Sequence, residues 1–434
     1  MEITSDQVII EGDSQLHGSV RAVPSKSHTH RAVIAASISE GTSKIENPSF
    51  SEDVRATVDA VGSYGTDIKV AENSLLVRGV DHISVPENAV DCGESGSTIR
   101  FIVPILAHAK GISVVTGGPS LRKRPMQPLI DLLQQLGIQC YSVQSNGCAP
   151  LVLMGGSFQG GKARVAGNVS SQFISGLLFS APLAAQPTTI ELSTPLESAP
   201  YVKMTMNVLA CHGIHTEEKN NMSQFLIPGG QSPTSYNHVI EGDYSSAAFI
   251  LVAGAITGSE IGVSGLNASQ SLQGDSIIMP ILKTMGVDTQ SENQAIWVRS
   301  SHPTAAQIDA RDCPDLVPPL AVLACFAQGT TRITRAERLR LKESDRLATV
   351  SSELQKMGAK IRATRDGLEI TGVPNLVGAK VSSHGDHRVA MACAVAALRA
   401  KGDTVVDGAR CVTKSYPTFF RDVRSLGGSI IGWK

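Results

Sequence analysis

The 434 residues hold few aromatic side chains: Phe, Tyr and Trp make up 4 % of the chain. Single-stranded nucleic acid is gripped by stacking on such rings, so that role is not expected. Charge of one sign is not in excess either. The 38 Lys and Arg are met by 39 Asp and Glu, for a formal net charge of -1. Nucleic-acid wraps and proteins held on anionic membranes are usually strongly basic, so neither partner is expected. Any anion binding must then come from cations gathered locally. No apolar run reaches the roughly 18–20 residues of a membrane span. The eight cysteines form no CxxC pair and no His/Cys cluster. That pattern points to a reducing cytosol and to no structural zinc. The opening "MEITSDQVIIEG" is acidic and shows neither a signal-peptide core nor an Arg-rich transit peptide, so a cytoplasmic location is expected.

What is abundant is glycine, 40 residues of it, and much of it recurs at intervals of roughly 70 residues, the kind of period that marks repeated units. A short apolar-Gly step appears as "YGTDI" at Gly65, "LGIQC" at Gly137, "HGIHT" at Gly213, "MGVDT" at Gly286, "MGAKI" at Gly358 and "LGGSI" at Gly427. Glycine at such a spot suits a helix C-terminus, where the left-handed conformation costs it nothing. Ahead of each step, a polar cluster runs into an Ala-rich apolar stretch. The six are "PSKSHTHRAVIAASISEG", "GESGSTIRFIVPILAHAKG", "NVSSQFISGLLFSAPLAAQ", "GDYSSAAFILVAGAITG", "CPDLVPPLAVLACFAQG" and "GDHRVAMACAVAALRAKG". Helices apolar on all sides are buried ones. Each unit thus reads as strand, buried helix, strand, amphipathic helix and closing strands. Breaks near Arg21 and Tyr236 divide the chain into two α/β domains of three units each, 21–236 and 237–434 plus 1–20. The last unit runs out of residues, and "QVIIEG" near the N-terminus can supply its missing strand.

The starts of the buried helices carry unusual residues: Lys26, Ser27 and Arg31; Gly96 and Arg100; Ser170, Ser171 and Gln172; Ser245 and Ser246; Asp315; His387 and Arg388. Ser, Asp and Gly there are ordinary caps. Lys, Arg and His are not, because a helix start already bears partial positive charge. Cations placed repeatedly against that dipole, together with free N–H groups, point to anion binding. Nearby loops add Arg122 and Arg124, Lys342 and Arg346, and Lys414. The set suits a ligand with several phosphate or carboxylate groups. Asp315, between prolines and an apolar helix, and Glu343, between Lys342 and Arg346, are candidates for proton transfer.

The ordered pieces "SKSHTHR", "GESGSTIR", "RKRP", "SSQF", "SAPY", "CPD", "KESDR", "GDHR" and "TKSYP" resemble the enolpyruvyl transferase family end to end, in the branch that acts on shikimate 3-phosphate. The resemblance implies two domains of three βαβαββ units, barrel-like and inside out, with the active site in the interdomain cleft. It implies transfer of the enolpyruvyl group of phosphoenolpyruvate to the 5-hydroxyl of shikimate 3-phosphate, with neither metal nor organic cofactor. A monomer is expected. By position it implies that Lys26, Ser27, Arg31, Ser170, Ser171, Ser198 and Tyr201 hold shikimate 3-phosphate. Gly96, Arg124, Arg346, Arg388 and Lys414 would hold phosphoenolpyruvate, with Lys26 and Gln172 touching both. Asp315 would be the base at the 5-hydroxyl with Lys342 beside it, Glu343 the acid at the methylene carbon, and His387 a helper. The sister enzymes acting on a nucleotide sugar use a loop cysteine near "RKRP"; here none falls between Cys92 and Cys140. The chain departs from the family at Thr29-His30 and at Glu94. An unpaired carboxylate beside an anionic ligand is costly, so Glu94 is expected to pair with His28 or His30.

Overall fold

In a computed structural model of the chain, residues 6–267, 271–292, 295–299 and 302–433 are described. Residues 1–5, part of the N-terminal segment read above, lie outside that range. The chain divides into two compact units. One comprises Pro24–Ile240 and the other Met1–Val23 with Glu241–Lys434. The changes fall at 23/24 and 240/241, a few residues beyond the breaks near 21 and 236 suggested by composition.

All six apolar stretches are helices: Lys26–Ser37, Gly96–Leu106, Ser171–Ser180, Tyr244–Thr257, Val317–Cys325 and His387–Leu398. They are buried along almost their whole length; in Tyr244–Thr257 every residue but the last is buried. Each Leu, Ile or Phe taken out of water there contributes roughly 1.5–3 kcal/mol. Small side chains let the helices approach closely. A Cβ on Gly176 would lie 2.1 Å from the Arg100 carbonyl oxygen, so this glycine is required by the contact between two of them. The second helix of each repeat is amphipathic, as in Gln127–Gln135, where Leu129, Ile130, Leu132 and Leu133 are buried. The six glycines of the apolar-Gly steps have φ between 77° and 113°, the left-handed exit that glycine alone adopts freely.

The strands form six separate four-stranded sheets, none of which closes into a barrel among the described residues. The sheet around Ile112–Thr116 shows the common plan. Val90–Asp91 runs parallel to it, Leu151–Met154 antiparallel, and Gln139–Ser142 antiparallel to the last. Two sheets borrow their parallel edge strand. Gly18–Arg21 precedes the Lys26 helix in sequence yet pairs with Ile261–Ser264. His238–Val239 precedes the Tyr244 helix yet pairs with Thr42–Glu46. In the last repeat, Gln7–Ile10 fills the gap between Thr404–Asp407 and Ile430–Ile431, antiparallel to both. No helix among the described residues is long and apolar enough to cross a membrane. All eight cysteines are unpaired.

Candidate active site

Within Pro24–Ile240, the first turns of three buried helices gather the charged residues. Ser25 caps the first helix, its side chain accepting from the His28 N–H. Lys26 follows at the first helical position. Its Nζ lies 2.6 Å from Asp53 Oδ2, with both side chains mostly covered. The Arg31 guanidinium, 2 % exposed, donates from Nε to Thr205 Oγ1 at 2.8 Å and from Nη1 to the Ser27 carbonyl at 2.9 Å. It also lies over the Phe101 and Tyr201 rings, 5.3 and 5.8 Å from their centroids. Burial lowers its pKa to about 10, against the pull of Tyr201, so it is a cation at neutral pH.

Arg100 Nη1 donates to Gln172 Oε1 at 2.5 Å, and Gln172 Nε2 donates to Ser97 Oγ at 2.8 Å. The second and third helix starts are thereby joined. Ser170 caps the third helix by accepting from the Gln172 N–H, and Ser171 beside it is buried. Arg124 is 6 % exposed, and its Nη1 lies 2.8 Å from the place a Cβ on Gly96 would take. Gly96 thus leaves room for the guanidinium. We expect Gly96→Ala to keep its melting temperature, because a flexible side-chain end can give way. Inorganic phosphate, titrated calorimetrically, should bind about tenfold more weakly if Arg124 holds it, because Arg124 is displaced; charge-assisted contacts of this kind are worth about 1.5–3 kcal/mol. Ser198 stands just ahead of the helix that carries Tyr201, in a left-handed conformation with φ 56°.

The expected pairing of Glu94 with a histidine is not found. Glu94 accepts from the backbone N–H groups of Ser120 and Leu121, at 3.2 and 2.9 Å, and so fastens the "LRKRP" turn. His30 Nδ1 lies 2.7 Å from Thr57 Oγ1 instead. His28 stacks edge-on to His238 at 5.9 Å, and burial with Arg31 nearby pushes its pKa down to about 4. Backbone donors satisfy a carboxylate without any second charge, a solution that leaves no mark in residue type.

In the other unit the centre is Arg346, 1 % exposed. It reaches three carboxylates: Asp315 at 2.7 Å, Glu343 at 2.5 Å and Asp386 at 2.8 Å. Arg388 Nη2 lies 3.2 Å from the other oxygen of Asp315, and Lys342 Nζ lies 3.8 Å from the first. Burial opposes ionisation of Asp315. Arg388, Lys342 and Arg346 together outweigh it and hold the carboxyl well below the usual range. Burial also brings the Lys342 ammonium down to about 8, with Asp315 working the other way. Asp386 caps the His387 helix through the Arg388 N–H, and His387 is buried in its first turn. Lys414 sits at the edge, its Nζ donating to the Gly385 carbonyl at 2.9 Å. Asp315 itself stands in a short 3-10 turn, Pro314–Leu316, that leads into the Val317 helix.

Three acids in these clusters escaped the sequence reading. Asp53 and Asp386 hold Lys26 and Arg346. Asp386 had a signal, being next to His387 in "GDHR"; Asp53 looked like an ordinary first-turn acid. The third is Asp275. By residue type and place, Ser245 suits a cap or a ligand contact. The cap is Asp243, which accepts from the Ser245 N–H at 2.9 Å, and the Ser245 hydroxyl donates to Asp275. Among the described residues, no group of three or more His, Cys, Asp or Glu is arranged to hold a metal ion.

A pair of three-repeat α/β units, each with buried helices whose starts converge in a cation-rich cluster, defines a class of enzyme for polyanionic substrates. A family model for EPSP synthase (3-phosphoshikimate 1-carboxyvinyltransferase) matches residues 10–423. The 3-phosphoshikimate 1-carboxyvinyltransferase of Clostridium kluyveri is 44 % identical over 420 residues, 97 % of each chain. That of Methanococcus maripaludis strain C5 is 40 % identical over 427 residues, 98 % of this chain and 99 % of its own. The solved EPSP synthase of Acinetobacter baumannii superposes with a TM-score of 0.83 at 28 % identity, covering 98 % of this chain and 99 % of that one. The chain belongs to the EPSP synthase family.

Proposed function

We propose that the chain transfers the enolpyruvyl group of phosphoenolpyruvate to the 5-hydroxyl of shikimate 3-phosphate and releases phosphate, on the route to chorismate and the aromatic amino acids. The observation that carries this reading is the Asp315–Arg346–Glu343 cluster with Arg388, in a chain whose relatives bear that activity in their names. Two polyanions repel each other unless cations surround them, and Arg presents a fork that matches carboxylate and phosphate oxygens. Lys26, Ser27, Arg31, Ser170, Ser171, Ser198 and Tyr201 hold shikimate 3-phosphate in this reading. Gly96, Arg124, Arg346, Arg388 and Lys414 hold phosphoenolpyruvate, and Lys26 and Gln172 serve both. A monomer is the expected form. With eight unpaired cysteines, the chain suits the reducing cytoplasm.

The chemistry follows from the cluster. Asp315, ionised, accepts the 5-hydroxyl proton as that oxygen adds to C2 of phosphoenolpyruvate, with Lys342 beside it. Glu343 delivers a proton to the methylene carbon. The Glu343 carboxylate then takes a proton from the resulting methyl group as phosphate departs, which restores the double bond. His387, next to Asp386 at the start of its helix, assists in this reading. An anionic ligand at Arg346 and Arg388 draws on the same N–H groups that hold Asp315. Weakening that hold raises the basicity of the carboxylate.

Phosphate release measured with both substrates tests the reading; no release above background from folded protein would refute it. Calorimetric titration tests the residue roles. Arg388→Ala should weaken phosphoenolpyruvate by about tenfold or more and shikimate 3-phosphate far less. Ser171→Ala should do the reverse. Equal losses for both ligands would mean the two sets are wrongly divided.

A further inference from the structure

The transferase reading leaves Asp275 without a task. Its side chain is fully buried, in a 3-10 turn ahead of the helix Ile278–Thr284. One carboxyl oxygen, Oδ2, takes the Ser245 hydroxyl. The other, Oδ1, has no hydrogen-bond partner among the described residues. A buried carboxyl oxygen left this way is costly, and a fold keeps such a group where function uses it. Ser245 links it to the catalytic cluster. Arg388 Nη1 reaches the Ser245 carbonyl and the Asp315 carbonyl, each at 3.5 Å, while Nη2 holds the Asp315 carboxylate. One guanidinium therefore touches both the half-buried Asp315 carboxylate and the residue to which the fully buried Asp275 is fastened.

We propose that Asp275 is a positioning residue for the transfer: fastened to Ser245, it competes with Asp315 for Arg388 and so sets how basic Asp315 is. The proposal rests on the transferase reading. The groups that act on Asp275 are Asp315 and Arg388, the nearby Asp243 and the Ser245 hydroxyl, with the Cys313 thiol also in its field. Burial first, and then Asp315, raise its pKa to about 7, against Arg388 and Ser245. Below that pH Asp275 is neutral, and Arg388 clamps Asp315 undivided. Above it Asp275 is an anion, the clamp is shared, and Asp315 is the better proton acceptor.

Asp275→Asn keeps the size and the acceptor for Ser245 and abolishes the charge. In the wild type, kcat should rise with pH through about 7. The variant should lack that rise and run roughly tenfold slower at pH 8, the size of effect expected when a buried charge beside a general base is removed. Its KM for phosphoenolpyruvate should stay level or fall, since Arg388 is then drawn less toward Asp275. Its melting temperature at pH 8 should be no lower than that of the wild type. A carboxyl whose folded pKa lies above its unfolded value loses stability as pH rises between the two, and Asn carries no such loss. Ser245→Ala removes a donor to the anion and should move the rise in kcat to higher pH. A superimposable pH profile for Asp275→Asn, or a lower melting temperature with unchanged kcat per folded molecule, would overturn the proposal. If Asp275→Asn does not fold, Ser245→Ala decides: an unshifted profile overturns it. Should the wild type release no phosphate at all, the transferase reading fails separately. Calorimetry with sulfate near pH 7, run in two buffers of different ionisation enthalpy, then decides on Asp275 itself. An anion at Arg388 should make the wild type take up protons that Asp275→Asn does not, and equal uptake in both overturns the proposal.

Discussion

Replacing Arg346 with alanine is expected to damage the unit 1–23 with 241–434 as well as its chemistry. The guanidinium joins Asp315, Glu343 and Asp386. Truncation leaves carboxylates buried with less or no compensation, and Asp386, at 0 % exposure, suffers most. Breaking a buried pair by removing one partner costs about 3–5 kcal/mol. For a unit of this size that corresponds to a fall in melting temperature of about 6–20 °C. Activity should fall with it, because Asp315 and Glu343 are no longer held and the phosphoenolpyruvate grip has lost a fork. Arg346→Lys keeps the charge but cannot serve three carboxylates at once. It should recover part of the stability and little of kcat, since a point charge does not replace a planar donor set. A full return of activity in the lysine variant would show that charge alone is what Arg346 supplies.

The second large effect is expected at the two acids. Asp315→Asn and Glu343→Gln should each lose about 10²–10⁴ in kcat, the usual share of a general base or acid. The structure separates them in stability. Glu343→Gln keeps an oxygen for Arg346 and should melt near the wild type. Asp315→Asn takes the carboxylate away from Arg388 and Lys342 and leaves Arg346 with two anionic partners instead of three, so it should melt lower. Single-turnover rates per folded molecule, beside thermal melts, distinguish the two losses. The same clamp predicts acid sensitivity. The Asp315 pKa lies well below its unfolded value, so its ionised form stabilises the fold above about pH 4. That contribution is lost as pH falls toward the folded pKa. Asp315→Asn should therefore flatten the decline of melting temperature below pH 4; an unaltered decline would mean that other carboxyls cause it.

The loss at Arg346 also shows why its partners were hard to foresee. Lys26 and Asp53 are 27 residues apart, and Arg346 and Asp386 are 40 apart. No local pattern records such a meeting, because a first-turn acid at a helix start looks the same whether it serves the dipole or a distant lysine. Glu94 teaches the same lesson from the other side. Its type suggested a charged partner, and two backbone N–H groups of the following turn took that place.

The sequence by itself determined the six buried helices, the six glycine exits and the crowding of cations at helix starts. Each is written locally: an apolar stretch with no polar face must be buried, a left-handed helix exit needs glycine, and a cation at a helix start opposes the dipole unless an anion is to come. Only the tertiary structure decided which repeat each edge strand completes. Gly18–Arg21 and Ile261–Ser264 are paired across more than 240 residues, and four-residue strands carry no record of their partner, since a backbone ladder is blind to side-chain identity. The tertiary structure likewise decided which carboxylate each buried cation meets, because Coulomb attraction depends on distance in space and sequence separation does not set that distance.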